Sequence, residues 1–280
     1  MNTQFLSAVT ALADSIASRA PLPLDIVPEI RALGAEVVFA TSPERAPGFE
    51  SCPLAVTLGD TGGYCVKLYR DPNAPPFLTR RERFTLAHEW AHVALDQFSG
   101  WRPDSRREHF RREAWCNSIA AHLLVPERVR LTPGLEHPVG ALRVTARIRE
   151  ECAVSWPVAG LRLAEASSRI VIAELKAGSR RSGQEILRVV WSAGAVELFD
   201  VARGRYLDSE HTWFQLCRSS TGPSLLSRAD SGDVRWALIR SRADTKRYFA
   251  WASLSDGSSL RPQPDAPMAG FAQLSFLLQN

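Results

Sequence analysis

Apolar positions along this chain follow two different periods, and the change comes near residue 168. Before it, most apolar residues recur at helical spacing. MNTQFLSAVTALADSIASRA at the N-terminus reads as an amphipathic helix broken by Asp14 and Ser15, not as a secretory leader, because it lacks a basic head. Three short runs, Ala35–Ala40, Leu54–Leu58 and Tyr64–Tyr69, predict strands, the last two joined by a Gly-rich turn at Gly59–Gly63. A loop from Pro72 to Thr79 then leads into a helix whose buried stripe is set by Phe84, Leu86, Ala87 and Ala91 and continues to Val93 and Leu95. Ile119, Leu123 and Leu124 mark a second buried helix, which Pro126 ends.

A Pro- and Gly-bearing connector, Thr132 to Pro138, precedes a helical stretch from Val139 to Ala166, in which a turn ending at Ser155 separates two helices. From Arg169 onward the pattern alternates. RIVIAEL, ILRVVWSA, AVELFDV, TWFQLC, VRWALIR, KRYFAWASL and FAQLSFLL are all read as strands of an antiparallel sheet. The expected fold class is therefore α+β, in three parts: a mainly helical domain with a small sheet at 1–131, a helix-turn-helix-like segment at 132–167 and a β-rich domain at 168–280.

The first buried helix carries the most informative residues. His88, Glu89, Trp90, Ala91 and His92 spell HEWAH, a match to HExxH. Residues four apart share a helix face, so His88 and His92 can direct ring nitrogens at one divalent ion. Glu89 follows the first of them at an angle that lets it reach a metal-bound water without ligating the metal. Zinc lowers the pKa of such a water from about 16 towards roughly 7, and a carboxylate beside it can move the proton to a leaving amine. The implied chemistry is amide hydrolysis, with Glu89 as general base.

Such a site needs a third protein ligand. REAWCNSIAAHLLVP offers Glu113 at the start of the second helix, with Cys116 and Asn117 at i+3 and i+4, so Asn117 can orient a ligand from behind. Asp96, Asp104 and Glu108 read as solvated surface charges. The ligand set suits zinc, while manganese and cobalt accept the same donors.

RRERFTLAHEWAH followed by ExxCNxxAAxLLxP resembles the IrrE/ImmA-like zinc metallopeptidase family, whose members cleave repressors in DNA-damage response, mobile-element induction or anti-phage operons. The likeness is close over Arg81–Pro126 and looser from about Asp25 to Ser167. It implies zinc held by His88, His92 and Glu113, catalysis by Glu89, and a helix-turn-helix repressor as protein substrate. Trp90-Ala91 departs from the family's usual Leu or Ile followed by Gly or Ser, which bears on packing or access to the cleft rather than on reaction class. In outline the C-terminal part is similar to the GAF-like sensor region of IrrE. In related metallopeptidases a substrate-binding strand runs beside the motif helix. Cys52, at the start of the predicted hairpin, is thus a candidate fourth ligand that would silence the enzyme, as a propeptide cysteine does in matrix metalloproteinases, with Cys65 as the alternate donor.

Composition narrows the setting. The five cysteines are odd in number and lack CxxC pairing, which suggests reduced thiols in a cytoplasmic protein, and no apolar run predicts a membrane span. Residues 1–167 hold 19 basic and 19 acidic side chains and residues 168–280 hold 15 and 11, so the whole net charge of +4 falls in the C-terminal part. There Arg235, Arg240, Arg242, Lys246 and Arg247 lie close in sequence to Trp236, Tyr248 and Trp251, a mixture suited to single-stranded DNA as an activator. Two other functions remain open: a protease of broader specificity, and a metal-containing transcription factor without peptidase activity that binds DNA through Val139–Ala166. The helix-turn-helix-like unit favours packing over DNA reading, because its second helix carries only Arg162.

Overall fold

A computed structural model describes residues 3–41, 55–60, 63–100, 102–130, 138–165, 170–180, 182–194, 196, 201–219, 226–231, 234–240 and 246–254. They form a mixed α+β chain of two compact units. Of the described residues, unit 1 holds those up to Val129 and Arg149–Ser155, and unit 2 holds Arg130, those up to Ile148 and those from Trp156 to Leu254. Among the described residues no helix is long and apolar enough to cross a membrane.

Unit 1 runs α1 (Thr3–Arg19), α2 (Ile26–Ala32), β1 (Ala35–Thr41), β2 (Ala55–Asp60), β3 (Gly63–Arg70), α3 (Arg80–Ser99), α4 (Arg106–Leu124) and the single turn α5 (Glu127–Arg130). The three expected strands form one sheet in the order β1-β3-β2, with β1 parallel and β2 antiparallel to β3. Alternation gives the sheet two faces. Ala35, Val37, Ala55, Val66 and Leu68 are buried on the face that carries Thr57, which bonds to α3, whereas Glu36, Cys65 and Leu58 share a register row on the other.

The helix α3 is buried nearly all round from Glu82 to Leu95, as befits a central helix. Its start is fixed by a capping box: Glu82 N–H donates to Thr79 Oγ1 at 3.2 Å, and Thr79 N–H donates to Glu82 Oε2 at 2.7 Å. Gly100, in the left-handed region at φ 58°, ends it. Arg70 of β3 donates to Glu82 Oε1 at 2.6 Å, so one carboxylate ties the sheet to the cap. Burial pushes the Glu82 carboxyl up, but the Thr79 amide and the Arg70 guanidinium outweigh that and hold its pKa below the ordinary value. A folded-state pKa below the unfolded one means the stabilisation is present above the unfolded pKa and is lost as pH falls through the folded one. Glu82→Gln is expected to cost about 1–3 kcal/mol at neutral pH. In denaturant titrations at stepped pH, its gap to the wild type closes under acid.

α4 lies against α3 and α1. Arg112 donates to Asp96 Oδ1 at 2.5 Å across the first contact, and His122 Nδ1 pairs with Asp14 Oδ1 at 2.9 Å across the second. Trp90, fully buried, donates from its indole to Glu29 O at 3.2 Å, so the Trp90-Ala91 departure is absorbed by packing against α2.

Unit 2 contains α6 (Pro138–Glu151, whose last turn belongs to unit 1), α7 (Trp156–Ala164), β4 (Ile170–Ser179), β5 (Glu185–Gly194), β6 (Tyr206–Leu207), α8 (Thr212–Ser219), β7 (Leu226–Ser231), β8 (Val234–Arg240) and β9 (Arg247–Leu254). Its sheet is antiparallel throughout, in the order β6-β5-β4-β9-β8-β7. On one face Val171, Ala173, Leu187, Val189 and Ala250 pack with Trp213 and Phe214 of α8. On the other, Trp156 of α7 stacks on Phe249 with ring centroids 4.8 Å apart. A Cβ at Gly160 of α7 would lie 3.0 Å from the Trp191 ring and 3.2 Å from Ile172, so glycine suits this close approach and a larger residue would need both side chains to give way. Every residue of α7 from Val158 to Ala164 is buried, Arg162 included, so this helix has no face to lay in a DNA groove and serves packing.

Three C-terminal expectations are corrected or left aside. TWFQLC is the helix α8, not a strand. Trp213, Phe214 and Leu216 are buried while Gln215 and Arg218 are exposed, a helical arrangement set by packing on the sheet despite the β preference of Trp and Phe. Within AVELFDV the described residues Val196 and Val201 are not in a strand, because β5 turns at Gly194 with φ 91°. FAQLSFLL lies outside the described residues, and β6 and β7 were not anticipated.

Candidate metal centre

Helical spacing does what the motif requires. His88 and His92 lie one turn apart on α3, and their Nε2 atoms converge to 3.0 Å. Glu113 enters from α4, its Oε2 3.1 Å from His88 Nε2 and its Oε1 3.2 Å from His92 Nε2. Among the described residues these three are the group of His, Cys, Asp and Glu side chains able to hold a metal ion. All three side chains are partly buried.

The surroundings fix these donors. Asn117, fully buried one turn beyond Glu113, places Oδ1 2.9 Å from His88 Nδ1. That oxygen can only accept, so Nδ1 carries a proton, and in the neutral imidazole that a metal would take, Nε2 is the nitrogen with the free lone pair. Burial pushes the Glu113 carboxyl up, yet hydrogen bonds and charge from His88 and His92 hold it well below the usual carboxylate range. Burial also presses the His88 pKa down, but Glu113, the Glu89 charge and Asn117 together leave it raised. Cys116 lies on the same helix, fully buried; burial and the nearby Glu113 charge push its thiol well up, which leaves it an inert packing residue.

Glu89 is not one of the donors. It is 8% exposed, and its Oε2 accepts a hydrogen bond of 2.5 Å from Thr57 Oγ1 on β2. Thr57 was missed in the sequence, where a threonine in a strand carries no mark of a polar contact 32 residues away.

The remaining candidates divide. Cys52 lies outside the described residues. Cys65 falls in the register row of Glu36 and Leu58, on the sheet face away from Thr57 and Glu89, and is not part of the donor group. Of the proposed nucleic-acid cations, Arg242 and the side chains of Arg235 and Arg240 lie outside the described residues. Lys246 is exposed, and Arg247 donates to the buried Glu174 at 2.9 Å. Two of the rings expected beside them are core residues: Tyr248 is 5% exposed and Trp251 1%, so neither can stack on a base.

No family model matches the chain, and no curated protein matches it. What the chain itself shows is the geometry of its two motifs. That geometry brings His88, His92, Glu113, Asn117 and Glu89 to one place from two helices.

Proposed function

We propose that this chain is a regulatory zinc endopeptidase of the IrrE/ImmA-like kind, which cuts a helix-turn-helix transcriptional repressor and so induces an operon for DNA damage, mobile-element or anti-phage response. The observation that carries the proposal is the convergence of two imidazole nitrogens and one carboxylate within 3.0–3.2 Å, with a second carboxylate, Glu89, near enough for its charge to act on His88. A structural metal site has no use for that second carboxylate.

The donor set fits zinc. Two imidazoles and one carboxylate are a catalytic zinc set that leaves a position open, and zinc–nitrogen bonds of about 2.0–2.1 Å give tetrahedral edges of about 3.3–3.4 Å. The observed triangle needs to open by only a few tenths of an ångström.

Zinc, once bound, supplies the Lewis acidity that ionises a water and polarises the scissile carbonyl. The protein's residues do the rest. Asn117 holds His88 in the ligating tautomer. Glu89 takes one water proton as the water oxygen bonds to the carbonyl carbon, then gives it to the amide nitrogen as the carbon–nitrogen bond breaks. β2, one of the two edge strands of its sheet, offers a side on which no described strand pairs, where an extended peptide can add by backbone hydrogen bonds.

Destruction of a repressor is irreversible, so it needs a gate, and unit 2 is the proposed GAF-like sensor. An open antiparallel sheet with helices on both faces supports this reading, as does a cleft of about 330 Å³ lined by Phe214, Cys217 and Tyr248. Single-stranded DNA as the activating signal rests on the cations alone, since Tyr248 and Trp251 are taken up in the core.

The test is incubation of the zinc-loaded protein with the helix-turn-helix protein encoded beside it, with and without single-stranded DNA, across salt concentrations. One discrete cut, faster with DNA, is expected. Equal rates with and without DNA remove that activator. Cleavage of a degenerate peptide library at comparable rates points to a broad protease, and no cut under any condition overturns the regulatory reading.

A further inference from the structure

The α3 backbone fixes where Glu89 begins but not where its carboxylate ends. Three side-chain torsions remain, and the last is broad. Beside a divalent ion a free carboxylate would swing in and occupy the position that water needs. Something must hold Glu89 close to the ion and off it.

Thr57 is placed to do this. It sits in the middle of β2, where its register partner Val66 on β3 is fully buried, so its backbone is fixed by the sheet. As a β-branched residue it has a stiff χ1. Its hydroxyl donates to Glu89 Oε2 at 2.5 Å, the short distance of a charge-assisted bond, and Glu89 is buried around that contact. With Oε2 taken, Oε1 is the oxygen left for proton transfer.

We propose that Thr57 is the positioning residue of the Glu89 carboxylate: from the edge strand it pins one oxygen and reserves the other for the reacting water. The inference rests on the peptidase reading and adds a part that neither motif contains. Thr57 does not touch the reacting atoms; it acts through Glu89. Because β2 also offers its edge to an extended peptide, the strand that would receive the substrate is the one that aims the base.

The experiment compares zinc-loaded wild type, Thr57→Val and Thr57→Ser as full-length chains. Zinc content, kcat and KM on the repressor, and the affinity for acetohydroxamate by calorimetry are measured. A hydroxamic acid gives up a proton as it chelates the metal, and a carboxylate aimed at the site accepts it, so hydroxamate affinity reports the aim of Glu89 without any substrate. Thr57→Val is expected to lower kcat about 10- to 100-fold and hydroxamate affinity about tenfold, with KM within about threefold and one zinc retained. Thr57→Ser, which keeps the hydroxyl, is expected within about threefold of wild type on every measure.

Unchanged kcat and hydroxamate affinity in a fully zinc-loaded Thr57→Val protein overturn the proposal. So does Thr57→Ser damaged as badly as Thr57→Val, since the loss would then come from packing. Thr57→Ala takes the place of the valine variant if that one does not fold. A wild type that binds zinc but cuts nothing sinks the peptidase reading alone, because the hydroxamate comparison still decides the role of Thr57. A wild type that takes up no zinc sinks both.

Discussion

Glu89→Gln should slow repressor cleavage about 10³-fold and leave zinc content at one per chain, the loss expected when a general base is removed from an intact site. Glutamine matches glutamate in shape, and its carbonyl oxygen can still accept from Thr57, so the fold and the three donors are retained. What disappears is the oxygen that takes a proton. Cleavage followed by gel or mass spectrometry, beside metal analysis of the same samples, separates this from loss of metal. A variant that keeps its zinc and cuts at the wild-type rate would show that hydrolysis does not pass through Glu89. Sequence-specific duplex binding unaffected by the substitution would instead revive the transcription-factor reading, although the buried α7 gives that reading no exposed recognition helix.

The centre was legible in the sequence because its information is local. HEWAH fixes two donors by helical spacing alone, and Glu113 with Asn117 repeats that spacing on the next helix, so one pairing of α3 with α4 completes the site. The strands β1, β2 and β3 were equally plain, being short alternating runs bounded by turn residues. Thr57 was not legible, since its part depends on which face of β2 meets α3, a tertiary fact.

The C-terminal half was harder for a related reason. TWFQLC has residues that favour strands and too few positions for its helical period to stand out, so packing against Leu187, Val189 and Ala250 decided the outcome. Arg247 with Tyr248 and Trp251 suggested a nucleic-acid surface because cations and rings lie close together in the sequence. In a strand, alternation sends neighbours to opposite faces. Tyr248 goes to the α8 side and Trp251 to the α7 side, while Arg247 closes on Glu174.

Metal removal should have an effect as large as loss of the base, and it needs no substrate to be seen. His88 and His92 belong to α3 and Glu113 to α4, so one ion would bridge the two central helices of unit 1. A ligand bound only by the folded state stabilises it by about 4 kcal/mol when present at a thousand times its dissociation constant. In a domain of this size that raises Tm by roughly 10–20 °C. Zinc titration into chelator-stripped protein is thus expected to raise the melting temperature and slow amide exchange in α3 and α4, while exchange in β4, β5 and β9 stays as it was. Glu113→Gln, which keeps the shape but exchanges a strong anionic donor for a weak neutral one, should lose most of the shift. Melting and exchange indifferent to zinc in the wild type would mean that the triangle of His88, His92 and Glu113 holds together by its own hydrogen bonds, and the enzymatic reading would fall with it. Stabilisation that survives Glu113→Gln in full would place the ion elsewhere and leave the two histidines without their third partner.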